Sequence, residues 1–249
     1  MKILVCLSNV PDTTTKVRFK DNNTSFDANG VQWIINPWDE LALTRALELK
    51  EGSNGVITNV SVITVGEAFA EPTIRKALAI GADNAYRVNS IPKDAFFTAF
   101  QIAEIAKKES FDIIFAGIES SDYNGSMVGS MISEFLNISS VSSVSAVNIE
   151  NNEIKVTREI PGGKEFLNVT APLVAVVQKG IAINPRIPSM RGIMTARTKP
   201  LTVSEAVACD SLTEFVNYEL PQPKGKCKMI SADNVKELVQ LLHNEAKVL

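Results

Sequence analysis

Short apolar runs alternate with helix-length segments through the first half of the chain. The runs with the length of a strand are Ile3–Leu7, Val60–Val65, Ala85–Val88 and Ile113–Ala116, with Leu173–Val177 later in the chain. Such nearly continuous apolar runs are typical of parallel strands that are buried on both faces. Their alternation with helices predicts an α/β fold, in which helices cover both faces of a mostly parallel sheet.

Four segments between these strands carry apolar residues at helical spacing. They are Asp39–Lys50, a segment from Pro72 to Gly81, Asp94–Lys108 and Ser126–Leu136. Asp39 is predicted as the N-cap of the first helix, because its carboxylate can accept the free N–H groups of the first turn. The third segment has apolar residues on more than one face, so we expect it to be well buried.

Beyond Asn137 the pattern changes to that of antiparallel strands. Val144–Glu150 and Ile154–Ile160 flank Asn151-Asn152, which predicts a hairpin with a two-residue turn, and Phe166–Val169 extends it. A mostly parallel sheet with an antiparallel appendage is therefore expected.

The last part of the chain is predicted to be an extended arm. Residues 180–223 contain prolines without a clear period, at Pro185, Pro188, Pro200, Pro221 and Pro223. A final helix is predicted over Ser231–Ala246, and its apolar stripe could pack on this chain or on a partner. We therefore divide the chain into an α/β domain over residues 1–183 and a C-terminal arm over residues 184–249.

Composition and charge argue against several classes of protein. Of the 249 residues, 45% are hydrophobic and 21% charged, as in globular proteins. The net charge of −3 and the lack of a basic run argue against binding to nucleic acid. An apolar stretch of about 18 residues, long enough to insert into a membrane, is missing. The first strand also lacks the flanks of a signal peptide, so we expect a cytoplasmic protein.

Three cysteines and one histidine lie far apart in the sequence: Cys6, Cys209, Cys227 and His243. Their spacing argues against a zinc site, an iron–sulfur cluster and a disulfide framework, so we predict no metal. By itself, Cys6 fits a small apolar residue in a buried strand. The pattern offers no catalytic side chain.

The usual sequence signatures of nucleotide binding, GxGxxG and GxxxxGK[ST], are absent. A nucleotide would then lie outside the carboxyl ends of the strands, where the strand order reverses. The loops expected there are Ser8–Asp12, Asn36–Asp39, Gly66–Ala68 and Gly117–Gly129.

The loop Gly117–Gly129 leads from a buried strand directly into a helix. Its glycines allow a ligand to approach the backbone, and the helix N-terminus offers free N–H groups to a phosphate. An ordinary strand-to-helix turn would have the same composition. Asp122 is accordingly either an N-cap or a carboxylate that binds a hydroxyl group.

The tetrapeptide Asn36-Pro37-Trp38-Asp39 also has two interpretations. The proline fixes the backbone and restricts the preceding asparagine, which suits recognition of adenine. Alternatively, the segment is only a helix entry, with Trp38 as a hydrophobic staple and Asp39 as the cap.

Five segments in this order resemble the beta subunit of electron transfer flavoproteins. They are the Lys2–Leu7 strand, Asn36-Pro37 before an acidic helix start, IRKALAIGAD at Ile74–Asp83, the loop Gly117–Gly129, and VTREIPGGKEFLNVTAPLVAVV at Val156–Val177. The resemblance implies the fold of adenine-nucleotide-binding alpha hydrolases. It also implies an alpha subunit that holds most of the FAD site, with AMP bound structurally in this chain.

The resemblance further implies which residues contact the nucleotide. By position they are Cys6, Asn36, Pro37, Trp38, Asp39, Val65, Gly117, Asp122, Asn124, Gly125, Ser126, Met127 and Val128. Within the loop Gly117–Gly129 two positions depart from the family pattern, since Tyr123 replaces an acidic residue or glycine and Met127 replaces a glutamine. These departures leave open whether AMP or a second FAD is bound.

The segment NPRIPSMRGIMTAR, at Asn184–Arg197, resembles the recognition loop of the same family. By position, Met190 would anchor the carrier on a flavin dehydrogenase, and methionine suits an adaptable contact. The alternative is that Met190 packs beneath its own arm.

The resemblance thus implies an electron carrier, a heterodimer with FAD and AMP, rather than an enzyme. One alternative is a beta subunit of an electron-bifurcating, NADH-oxidising flavoprotein that holds a second FAD in place of AMP. A weaker alternative is a nucleotide-binding stress-type protein or an ATP pyrophosphatase. The loop Ser8–Asp12 lacks the glycines of the pyrophosphatases, and Gly117, Gly125 and Gly129 do not have the stress-protein spacing.

Overall fold

A nine-stranded sheet organises the computed structural model, which describes residues 1–150 and 153–249. In chain order the strands are β1 (Lys2–Cys6), β2 (Asn9–Pro11), β3 (Phe19–Lys20), β4 (Ser25–Phe26), β5 (Trp33–Ile35), β6 (Asn59–Val65), β7 (Asn84–Asn89), β8 (Ile113–Gly117), β9 (Ser139–Glu150), β10 (Glu153–Ile160), β11 (Gly163–Val169), β12 (Leu173–Val177) and β13 (Leu201–Glu205). The order across the large sheet is β11-β10-β9-β12-β8-β1-β6-β7-β13.

The first strand lies in the middle of the sheet. Val5 of β1 pairs in parallel with Val62 of β6 on one side and with Phe115 of β8 on the other. The chain therefore builds β6 and β7 on one side of β1 and then returns to β8 on the other side. The strand order reverses at β1, and the predicted mostly parallel α/β fold is confirmed.

Helices cover both faces of the sheet. They are α1 (Pro37–Gly52), α2 (Glu71–Ile80), α3 (Ala95–Glu109), α4 (Val128–Leu136), α5 (Met190–Ala196) and α6 (Val235–Asn244). On one face, Leu43 of α1 and Leu78 of α2 join one buried apolar core, whereas Phe97 of α3 and Ile132 of α4 join a second core on the other face. This is the two-faced cover that the sequence pattern predicted for α1 to α4.

Antiparallel strands extend one edge of the sheet. β10 pairs with β9 and with β11, and β9 also pairs in parallel with β12. The predicted hairpin strands are confirmed, although β9 starts at Ser139 rather than Val144. The predicted turn at Asn151-Asn152 lies outside the described residues.

The opposite edge of the sheet takes a strand from the segment predicted as an arm. β13 pairs in parallel with β7, and its Val203 lies opposite Arg87. Arg75 of α2 fixes the approach to β13, since its Nη1 atom donates to the carbonyl oxygens of Ala196 and Lys199, at 3.0 Å each. The proline pattern did not predict this strand.

The final helix, α6, stands apart from both cores. Every described residue of α6 keeps at least partial exposure, and Val235, Leu238 and Val239 of its apolar stripe are 43–62% exposed. Over residues 1–150 and 153–249, the helices are too short or too polar to cross a membrane.

Candidate nucleotide-binding site

A cavity of about 390 Å³ lies at the carboxyl ends of β1, β6 and β8. Its floor contains Cys6 from β1, Val65 from β6, and Ala116 and Gly117 from β8. These strands surround the point where the strand order reverses, which is where open α/β sheets bind their ligands. The volume lies near the lower end of the range for small-molecule sites.

The structure brings most of the sequence-predicted site residues to this cavity. Those in the lining are Cys6, Asp39, Val65, Gly117, Asp122, Gly125, Ser126, Met127 and Val128. The other four, Asn36, Pro37, Trp38 and Asn124, lie outside the lining formed by the described residues.

Asp39 is a buried link between two strands rather than a helix cap. Its Oδ2 atom accepts a hydrogen bond from the backbone N–H of Ser8 at 2.8 Å, and its Oδ1 atom accepts one from Gly117 at 3.1 Å. Helix α1 begins at Pro37, so that Asn36 occupies the N-cap position. The N-cap prediction for Asp39 is therefore wrong, because its carboxylate satisfies N–H groups at the ends of β1 and β8.

Burial changes the ionisation of this carboxyl group. Loss of hydration raises the pKa of Asp39 to about 7, although the N–H donors of Ser8 and Gly117 lower it in part. A Cβ atom on Gly117 would strike the Asp39 carboxylate and would lie 2.8 Å from the Cβ of Trp38. Close contact between α1 and β8 therefore requires glycine at this position.

Asn36 binds the backbone of the loop that forms part of the cavity wall. Its side chain is 1% exposed; Nδ2 donates to the carbonyl oxygen of Glu119 at 2.8 Å, and Oδ1 accepts from the N–H of Ser121 at 3.2 Å. Asn36 thus holds the loop Gly117–Gly129 against the start of α1. Its role is to position the loop rather than to face the cavity.

The loop ends at a helix N-terminus that faces the cavity. Helix α4 begins at Val128, two residues later than predicted, and Met127 occupies the N-cap position. Across the described chain, no side chain caps this end, so the first-turn N–H groups are available to an anion. The interpretation of Asp122 as the N-cap is therefore wrong; it lies exposed at the cavity lining.

Two loop residues adopt an uncommon backbone conformation. Asn124 has φ of 51° and Ser126 has φ of 53°, both in the left-handed region. Asparagine tolerates this region, whereas serine enters it less often. Such conformations cluster at ligand sites, because surrounding contacts must hold them in place.

The walls of the cavity combine apolar and charged side chains. Val65, Ile102 and Ala116 form an apolar side, and Lys93 adds a positive charge to the lining. Burial raises the pKa of the Cys6 thiol, and the nearby Asp39 carboxylate raises it further. Cys6 is therefore a neutral thiol at physiological pH and a poor nucleophile.

Known proteins with similar sequences identify the family. A profile of the electron transfer flavoprotein domain matches residues 24–208. The chain is also 37% identical to "electron transfer flavoprotein subunit beta" of Syntrophomonas wolfei, over 90% of this chain and 88% of that protein. The chain belongs to the electron transfer flavoprotein beta-subunit family.

Other beta subunits of this family match the chain over its whole length. The protein of Bacillus subtilis is 32% identical over 100% of both chains, and that of Homo sapiens is 29% identical over 100% of this chain and 99% of the human one. The resemblance inferred from the sequence is therefore confirmed.

The sequence did not predict every part of the cavity wall. The residues that it did not indicate include Phe69, Asp94, Thr213 and Phe215. Phe69 arrives on a short 3₁₀ helix at Ala68–Ala70, within one residue of a loop that the strand pattern had marked. No sequence pattern marked Thr213 and Phe215 as site residues. They lie far from β1 in the sequence, and only the fold brings them to the same cavity.

The segment predicted as a recognition loop, Asn184–Arg197, contains helix α5. Met190 is the first residue of this helix and is 77% exposed. The Oγ atom of Ser189 caps the helix by accepting from the N–H of Gly192 at 3.0 Å. A Cβ atom on Gly192 would strike the carbonyl oxygen of Ala79, so glycine lets α5 pack closely on α2. The alternative that Met190 packs beneath its own arm is wrong.

Proposed function

We propose that this chain is the beta subunit of a heterodimeric, cytoplasmic electron carrier. It would pair with an alpha subunit that holds most of the FAD site, pass electrons from flavin dehydrogenases to an acceptor, and hold AMP structurally in its cavity. The observation that carries this proposal is the cavity at the strand-order reversal, with an uncapped helix N-terminus at one end.

The residues of the cavity suit the three parts of AMP. The first-turn N–H groups at Met127 and Val128 suit the phosphate, and Lys93 adds a positive charge. The apolar side around Val65 and Ile102 suits a planar base. The exposed carboxylate of Asp122 suits a ribose hydroxyl group, as an acceptor.

The chemistry of the cavity favours binding over reaction. Both oxygens of Asp39 are engaged by backbone N–H groups, and the Cys6 thiol is neutral. FAD, when bound between the subunits, supplies the redox chemistry, whereas this chain provides position and surroundings. We therefore assign the nucleotide in this subunit a structural role.

Cavity size favours AMP over a second FAD. The volume of about 390 Å³ lies near the lower end of the range for ligand sites, which suits a mononucleotide better than a dinucleotide. The electron-bifurcating alternative would require the larger ligand in the same place.

The nucleotide content of the complex tests this proposal. The chain would be co-expressed with its alpha subunit, the complex purified, and the nucleotides released by denaturation and quantified by chromatography. We expect one FAD and one AMP per heterodimer. Two FAD and no AMP would instead establish the bifurcating type, and a chain that forms no flavin-containing complex would contradict both.

A further inference from the structure

The segment that follows β13, residues 206–218, contributes Thr213 and Phe215 to the wall of the cavity; we call it the tail segment. The buried side chain of Gln101 binds its start, since Nε2 donates to the carbonyl oxygen of Val207 at 2.7 Å and Oε1 accepts from its N–H at 2.8 Å. Further along, Asp94 Oδ2 accepts from the N–H groups of Leu212 at 2.6 Å and Thr213 at 2.9 Å. The tail segment is thus fixed at two places, to Gln101 within α3 and to Asp94 at the N-cap of α3.

A row of four aromatic rings runs from the cavity wall to β3, and two of them, Tyr123 and Phe215, line the cavity. Phe19 stacks on Tyr218 with ring centroids 5.0 Å apart, Tyr218 stacks on Phe215 at 5.7 Å, and Phe215 packs against Tyr123 at 5.0 Å. The N–H of Tyr218 also donates to the carbonyl oxygen of Asn23 at 2.8 Å. We call these four rings the aromatic latch.

The aromatic latch joins three parts of the chain that are distant in sequence. Phe19 belongs to β3, Phe215 and Tyr218 belong to the tail segment, and Tyr123 belongs to the loop Gly117–Gly129. Tyr123 is also a position at which the sequence departs from the family pattern. Its contact with Phe215 gives this departure a structural role at the cavity mouth.

Phe215 is both a latch residue and a cavity residue. It is 49% exposed and lines the cavity together with Thr213. Both lie beyond residues 24–208, the part that the family profile matches. The match to the family profile therefore does not include this part of the cavity wall.

We propose that Phe215 covers the nucleotide held in the cavity and that the aromatic latch must open before the nucleotide can leave. The inference rests on the proposed function, because it requires a nucleotide in this cavity. The ring offers a flat apolar face to a ligand that is itself partly planar. The contacts of Asp94 and Gln101 keep the tail segment across the mouth while the latch is closed.

The rate of nucleotide release tests the latch. The purified complex with the alpha subunit would be loaded with radiolabelled AMP, and release would be followed after addition of excess unlabelled AMP. Phe215→Ala removes the ring over the cavity, and Tyr218→Leu breaks the stack one ring away from it. We expect AMP release to be about tenfold faster in both variants, given the strength of aromatic stacking on a base.

Val216→Ala is the matched control. Val216 lies in the same tail segment and is 74% exposed, outside the cavity lining of the described chain. Its variant should release AMP at the wild-type rate. Release at the wild-type rate in both Phe215→Ala and Tyr218→Leu would overturn the inference while leaving the proposed function intact.

Hydrogen exchange on the wild-type complex gives a second test without substitutions. The backbone N–H groups of Leu212 and Thr213 should exchange more slowly with AMP bound than after AMP has been removed, because the bound nucleotide holds the latch closed. Equal exchange rates in the two states would overturn the inference. A wild-type complex that binds no adenine nucleotide at all would overturn the proposed function as well.

Discussion

At the scale of single residues, the side chains of Asn36 and Asp39 bind backbone groups of the loops around the cavity. Asn36 and Asp39 were chosen because a proline-fixed loop stands before a helix. The structure places both beside the cavity, as a loop support and as a link between strands. An acidic residue near a helix start looks the same whether it caps that helix or binds the N–H groups of distant strands. Only the tertiary fold decides between them.

The raised pKa of Asp39 predicts a pH-dependent stability. In the unfolded chain this carboxyl group loses its proton near pH 4, whereas in the folded chain it does so near pH 7. Between these values the folded state binds more protons, so the free energy of unfolding should fall as pH rises from about 4 to 7 and then level off. Urea unfolding at a series of pH values would measure this.

Asp39→Asn should remove that contribution to the slope. The asparagine has no proton to lose, but it keeps only one acceptor for the two N–H groups of Ser8 and Gly117. We therefore also expect a loss of about 1–3 kcal/mol near pH 5. The exposed Asp233 provides a control, since Asp233→Asn should keep the wild-type profile. If the free energy of unfolding changed with pH in the same way for wild type and Asp39→Asn, the pH dependence could not be assigned to Asp39.

At the scale of elements, strands were easier to predict than helix ends. The apolar runs located β1, β6, β8 and β12 because both faces of these strands are buried, and a shorter run located the partly buried β7. The start of α4 was placed two residues too early, because Ser126 has a helix-forming neighbourhood but a left-handed backbone. β13 was not predicted, because a short edge strand that follows a proline has little apolar pattern of its own.

The exposed start of α5 predicts a contact with the electron donor. Met190→Asp should lower the rate of electron transfer from a flavin dehydrogenase at least about tenfold, because a charge replaces an apolar anchor at an interface. AMP content should not change, since Met190 lies apart from the cavity. Stopped-flow reduction of the flavin would measure the rate.

Met229→Asp is a matched control for this substitution. Met229 is 86% exposed, compared with 77% for Met190, and lies in the C-terminal tail away from α5. We expect Met229→Asp to transfer electrons at the wild-type rate. Equal rates of electron transfer in Met190→Asp and Met229→Asp would contradict the assignment of Met190 as the anchoring residue.

At the scale of the whole molecule, the sequence pattern was sufficient for the central strands of the sheet and for the end of the sheet at which the cavity lies, but not for the edge strand β13 or the cavity's outer wall. Alternation of strands and helices implies a parallel sheet, and a parallel sheet binds ligands where its strand order reverses. The path of residues 206–218 depends instead on a few hydrogen bonds to Asp94 and Gln101, which no periodicity reveals.

The exposed apolar stripe of α6 predicts that this helix serves association rather than the stability of the chain. Removal of residues 231–249 should change the free energy of unfolding by less than about 0.5 kcal/mol, because α6 joins neither core. Binding to the alpha subunit should weaken. Thermal unfolding and sedimentation of the mixed subunits would measure the two effects. A shorter truncation, after Asn244, keeps α6 and should behave as the wild type.

The order of the elements along the chain also fixes the order in which the site forms during synthesis on the ribosome. Strands β1, β6 and β8 and the loop Gly117–Gly129 all leave the ribosome before the tail segment has been translated. The floor of the cavity can therefore assemble while its mouth is still open, and the aromatic latch is added near the end. A nascent chain can therefore bind a nucleotide from the cell before the tail segment and the aromatic latch have been synthesised.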